Sequence, residues 1–170
     1  MIEKYTFDLQ APKIKGKLIL VKDEMETRAH VVMKLLAYLL YFEPGLKIEG
    51  HVDMHYKPDL AVEGDHGIPS LWIDCGHIAI KKVGSIAQKL RRTQIVLIKK
   101  TKRELDTFKK VVADKVEQSE RVQYLAFDAG FVDGMAESLQ RVNQITLYDV
   151  MENVIGVTLN DRVFESTLHR

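Results

Sequence analysis

A chain of 170 residues with 46% hydrophobic and 29% charged residues can bury one real core, and is neither disordered nor disulfide-rich. Its single cysteine, Cys75, excludes an internal disulfide and gives no zinc site, so a reducing, cytoplasmic setting is expected. The net charge of +1 implies no particular partner until its distribution is considered.

The N-terminus, MIEKYTFDLQ, lacks the apolar core of a secretory signal. Residues 3–9 and 17–21 read as strands joined by a turn around Pro12 and Gly16. Asp23 is placed to cap a helix from about Met25 to Phe42, stopped by Pro44-Gly45. Its apolar stretch at 29–42 is broken by Lys34 and is shorter than the roughly 20 residues of a membrane span, so it reads as a core helix and no membrane partner is expected. Three short strand candidates follow at 46–54, 58–63 and 70–75, the last two separated by the loop signal GDHGIP. A helix over about 79–92 leads to IVLIKK at 95–100, which has the character of a buried strand. Residues 102–118 form an amphipathic helical pattern, 122–127 a strand and 131–139 a short helix. Two last strands, 143–150 and 154–159, are split by MEN. The strand–helix–strand unit ending at residue 100 requires parallel pairing. The expected fold is therefore a single α/β domain over 1–170 with a mixed central sheet and extra β-structure from both termini.

Familiar catalytic signatures are absent: there is no GxxxxGK[ST], GxGxxG, GxSxG or HExxH. His51 and His55 flank Asp53, but on a strand they stand about 13 Å apart, too far to share one metal ion. His66 and His77 fall in loops beside Asp59 and Asp74, where they either touch a substrate or lie on the surface. If 58–63 and 70–75 pair antiparallel, Asp59 and Asp74 stand side by side within about 5 Å. Two such carboxylates repel and one pKa must rise, unless a cation lies between them. Mg²⁺ or Mn²⁺ takes oxygen ligands and could polarise a phosphoryl oxygen there. In the alternative reading each aspartate merely ends its strand. Charge segregation bears on the choice. Residues 49–74 hold six carboxylates against Lys57, whereas 81–110 hold eleven Lys and Arg against Glu104 and Asp106. The basic stretch is either a surface for a phosphate backbone or two solvated lysine-rich helices.

Pro58-Asp59, followed fifteen residues later by Asp74 at the end of an apolar strand, resembles the PD-(D/E)xK nuclease signature. The helix, three strands, helix and strand over about 24–100 are likewise similar to that superfamily's αβββαβ, restriction-endonuclease-like core. More specifically, the chain resembles the YaeQ family, a small bacterial group assigned to this fold. The likeness rests on Glu26-Thr27, LLAY at 35–38, Pro58-Asp59, Asp65-His66, LWIDCG at 71–76, IKK at 80–82 and the closing QITLYDVMENVIGVTL. It implies a metal-dependent nuclease for DNA or RNA, with Mg²⁺ or Mn²⁺ on Asp59, Asp74 and the Cys75 carbonyl, and with Glu26 completing the acidic cluster. A non-catalytic domain of the same fold, binding nucleic acid or protein, is the alternative. The signature's lysine belongs two places after Asp74, where this chain has Gly76. The resemblance implies that a lysine from the following helix takes its place, here Lys82 or Lys81. A helix starting near 79 could aim Lys82 back at the site, because helical side chains lean toward the N-terminus. Its expected role is to hold the scissile phosphate or help activate water. Gln88 either lines the same surface or bonds within the core, and Trp72, in mid-strand, reads as core.

Overall fold

The computed structural model describes residues 1–50, 52 and 54–170; His51 and Asp53, and with them part of the expected 46–54 strand and of the His51–His55 pair, lie outside the described residues. The chain begins with strands β1 (Glu3–Gln10) and β2 (Lys15–Lys22), then helix α1 (Arg28–Leu40). Strands β3 (Leu46–Ile48), β4 (Leu60–Val62) and β5 (Leu71–Cys75) precede helix α2 (Ile80–Lys89) and strand β6 (Gln94–Ile98). Helix α3 (Lys102–Lys115), strand β7 (Val122–Leu125) and helix α4 (Phe131–Glu137) follow, and strands β8 (Val142–Met151), β9 (Val154–Leu159) and β10 (Arg162–Thr167) close the chain.

Among the described residues these strands make two five-stranded mixed sheets, where the sequence suggested one central mixed sheet with extra β-structure from both termini; that terminal β-structure forms the second sheet. The order β10-β9-β8-β1-β2 joins the two ends of the chain, with β1 and β8 parallel from Thr6↔Val142 to Gln10↔Thr146. The order β3-β4-β5-β6-β7 holds the middle, antiparallel through β5 and parallel from β5 to β7. The expected parallel crossover from β5 through α2 to β6 is present. Strand β10 was not anticipated, since RVFEST is short, polar and largely exposed.

Helices α1 and α4 pack on each other between the two sheets, which explains why α1 is buried on nearly every face. Strand alternation divides β5. Leu71, Ile73 and Cys75 face the α1 core, while Trp72 faces a second core built with α2 and α3. Asp23 does not cap α1. Its carboxylate takes the Met25 N–H (2.9 Å) in the preceding turn, and the cap is Thr27, whose hydroxyl takes the His30 N–H (3.1 Å). Among the described residues no helix is long and apolar enough to cross a membrane.

Candidate functional site

The β4–β5 hairpin pairs Leu60 with Ile73, so the next pair outward, at its open end, is Asp59 and Asp74. The backbone N–H of Asp59 donates to Ile73 O (3.0 Å) and to Asp74 Oδ1 (3.2 Å). The Cys75 N–H donates to Asp59 Oδ2 (2.8 Å). In an extended strand the C=O of a residue leaves from the same edge as its N–H, so the Cys75 carbonyl faces the same side. Asp74 is only 2% exposed, and Trp72, two residues back on the same face, donates its indole N–H to Oδ2 at 3.0 Å. Lys82, in the first turns of α2, leans back to bring Nζ within 2.9 Å of that oxygen and donates to Lys57 O at 2.8 Å. Burial raises the Asp74 carboxyl above its ordinary value, against the opposing pull of Lys82 and Trp72.

A second set of charges reaches the hairpin from α1. Glu26 stands one residue before the Thr27 cap rather than on the helix, and Glu26, His30 and Lys34 recur at four-residue spacing. Glu26 Oε1 lies 2.7 Å from His30 Nδ1 and 2.5 Å from Lys34 Nζ. The other His30 nitrogen, Nε2, lies 3.1 Å from Asp59 Oδ2. Burial pushes the His30 pKa down, but hydrogen bonds to Asp59 and Glu26 outweigh it and carry it to about 9. Burial likewise pushes Glu26 up, and the bonds from His30 and Lys34 override it, to about 2. His30 is thus an imidazolium at neutral pH, clamped between two carboxylates.

This clamp has a measurable pH signature. The unfolded imidazole titrates near 6.5 and the folded one near 9, so its stabilisation is complete below pH 6.5 and is lost as pH rises through 9. At about 1.4 kcal/mol per pH unit, less the screening of a partly exposed ring, the loss is on the order of 2 kcal/mol. A histidine NMR titration should give a midpoint near 9 for His30, and Asp59→Asn should lower it. A midpoint near 6.5 in the wild type would remove the clamp.

Gly76 adopts φ +79°, in the left-handed region where a lysine would be strained, and a Cβ there would point at Met33 Cε (3.4 Å) and His30 Cδ2 (3.6 Å). The backbone at 76 therefore disfavours the lysine of the signature, and α2 supplies one from another direction. Lys81 is exposed beside Lys82 without reaching the pair. His66 is displaced from the expected position: it lies in the closed turn of the hairpin, about 10 Å of strand away from the open end. Gln88 is also elsewhere, exposed in a groove with Lys115 and Glu117, because six residues past Lys82 the helix has turned away. The buried Cys75 thiol is pushed well above its ordinary pKa by burial, so only its backbone is available as a ligand. Sequence reasoning missed His30 and Lys34. Their signal was the i, i+4 recurrence with Glu26 inside an apolar run.

The donors around Lys82 are all oxygen, a carboxylate and a backbone carbonyl, which is the ligand chemistry of a hard divalent cation. Among the described residues no three His, Cys, Asp or Glu side chains are already arranged around a metal position. Glu26, Asp59 and Asp74 are matched instead by Lys34, His30 and Lys82.

A family model described as YaeQ protein matches residues 15–168. The fold is similar to the crystal structure of the YaeQ protein from Xanthomonas axonopodis pv. citri, with a TM-score of 0.76 at 17% identity over 98% of this chain and 95% of that one. It is also similar to the YaeQ protein from Pseudomonas syringae, with a TM-score of 0.78 at 18% identity over 99% and 93% of the two chains. No curated protein matches the chain.

Proposed function

The chain belongs to the YaeQ family, and from that premise we propose that it is a metal-dependent phosphodiesterase of the PD-(D/E)xK type acting on DNA or RNA. The observation that carries this reading is the convergence of Asp59, Asp74 and the Lys82 ammonium at the open end of one hairpin. Asp59, Asp74 and the Cys75 carbonyl would hold Mg²⁺ or Mn²⁺, which supplies Lewis-acid polarisation of a phosphoryl oxygen when bound. Lys82, on a flexible four-carbon stem, can pivot from Asp74 to donate to a phosphate oxygen. His30, held protonated by Glu26, fixes the Asp59 carboxylate in position. Lys81, exposed on the same turn of α2, adds positive charge for a phosphate backbone.

One observation favours a second reading, a non-catalytic domain of the same fold that binds nucleic acid or protein. Each of the three carboxylates already has a cationic partner within 3.1 Å, so the cluster is electrically complete without a metal ion. The test is cleavage of varied DNA and RNA substrates in Mg²⁺ or Mn²⁺ by the wild type and by Asp59→Asn and Lys82→Met. The enzymatic reading expects a loss of at least about a hundredfold in each variant. Equal rates in wild type and variants would end it. No cleavage, together with no calorimetric Mn²⁺ binding, would establish the second.

A further inference from the structure

We propose that a cleft beside α3 binds a small organic phosphomonoester, with Lys99 holding the phosphate. The cleft measures about 820 Å³ and opens where β5 and β6 end, between the start of α1 and the first turns of α3. That volume suits a small molecule. Its walls include Met33, Ile78 and Phe108, and its rim carries His77 and Arg103. Asp59 and Asp74 do not line it, so the inference stands apart from the phosphodiesterase reading.

Lys99 is what calls for an anion. The two lysines that are buried in this fold are treated differently: Lys34, 1% exposed, lies against Glu26, while Lys99, 8% exposed, has no carboxylate within ion-pairing distance among the described residues. Its ammonium donates to Gly76 O (2.5 Å) and stands 4.0 Å from the centre of the Phe108 ring, and neither is a counter-charge. Burial lowers its pKa, with Glu104 opposing from the first turn of α3. An unpaired buried charge is costly, and a cleft that admits an anion relieves the cost. The anion would also meet the N-terminal end of the 14-residue helix α3. There the Lys102 N–H is taken by Phe127 O and the Glu104 N–H by the Thr101 hydroxyl, so it is the positive end of the helix dipole that favours negative charge. Arg103 and His77 at the rim offset Glu104, and together with Lys99 they match a doubly charged phosphate better than a single carboxylate. The apolar walls call for an organic body on that phosphate.

The probe is phenyl phosphate, titrated into the whole chain and followed by amide NMR, with inorganic phosphate and benzoate as comparisons. The expected result is saturable shifts at Gly76 and Lys99–Glu104 with Kd of about 1 mM or below. Binding of the other two should be at least about tenfold weaker. Lys99→Met should abolish those shifts and raise the melting temperature, because it removes an unpaired buried charge. Thr107→Glu, on the exposed rim, should weaken binding by repulsion and provides a second variant should Lys99→Met fail to fold. Unsaturable shifts in the wild type, equal affinity for phenyl phosphate and inorganic phosphate, or unchanged binding in the variants would overturn the proposal.

Discussion

Lys34→Met is expected to lower the free energy of unfolding by about 3–5 kcal/mol, measured by urea denaturation at neutral pH. Lys34 is 1% exposed, and its ammonium lies 2.5 Å from Glu26 Oε1 and 3.5 Å from Glu49 Oε1. Methionine can replace the methylene stem against the core, so the loss isolates the charge rather than a cavity. Glu26 would remain nearly buried with His30 as its only close cation. A solvated surface pair would cost no more than about 1 kcal/mol, so the magnitude distinguishes the two situations. The dependence on pH is a second signature. Wild-type Glu26 titrates near 2, and losing Lys34 must raise that value. Its contribution to stability, present above the unfolded value of 4.5, is then lost earlier as pH falls. Protonation removes the uncompensated charge, so the deficit of the variant should narrow in acid. Adding Glu26→Gln to Lys34→Met should recover part of the loss, although it also releases His30. A single-variant cost below about 1 kcal/mol would mean that Lys34 reaches water through its own motion.

The geometry of Asp59 and Asp74 was legible because it depends only on local rules. Two short apolar runs with a glycine-rich loop pair antiparallel, and side-chain alternation then fixes which positions stand opposite. Lys82 was legible for a similar reason, since the first turns of a helix project toward the strand that precedes it. What escaped depends on long-range assembly. The pairing of β1 with β8 brings Thr6 beside Val142, and nothing in either strand specifies that partner. His30 faces the hairpin only because α1 packs on β5, and its immediate neighbours Ala29 and Val31 are apolar, so nothing local marks it as part of the site. Thr27 outcompeted Asp23 as cap because Asp23 was already engaged in the turn before it. Lys99 counted in the sequence only as one cation of the basic stretch 81–110, and its burial beneath Phe108 depends on how α3 packs. The misplacement of His66 has a simpler cause: a loop joining two strands lies at the closed end of their hairpin, and the carboxylates lie at the open one.

Asp74→Ala should be the most damaging single change at the hairpin, lowering stability by about 3–5 kcal/mol as well as removing a proposed metal ligand. The carboxylate accepts from the Trp72 indole (3.0 Å) and from the Asp59 backbone (3.2 Å), and it balances Lys82 (2.9 Å). Asp59 N–H keeps Ile73 O after truncation, but the fully buried indole N–H has no second acceptor in the structure. Asp74→Asn keeps an oxygen for the indole while losing the charge for Lys82, and should cost about 1–2 kcal/mol. Trp72 is the only tryptophan, so its emission reports directly on the site, and a larger spectral change in Asp74→Ala than in Asp74→Asn is expected. The two variants separate structure from chemistry. If Asp74 serves only to satisfy Trp72 and Lys82, any cleavage should follow stability, and Asp74→Asn should retain most of it. If Asp74 holds a cation, Asp74→Asn should lose cleavage and Mn²⁺ binding while remaining folded. Lys82→Met completes the argument, because it leaves the buried Asp74 charge without its ammonium. Burial already raises that carboxyl above 3.8, and losing Lys82 must raise it further. The cost of burying the charge applies above the folded pKa and is relieved as pH falls through it, so Lys82→Met should gain stability relative to the wild type on acidification. A divalent cation at neutral pH should give the same relief, seen as a larger Mn²⁺-induced rise in melting temperature for Lys82→Met than for the wild type. Equal responses in the two proteins would mean that the Lys82 ammonium does not occupy the position a cation would take.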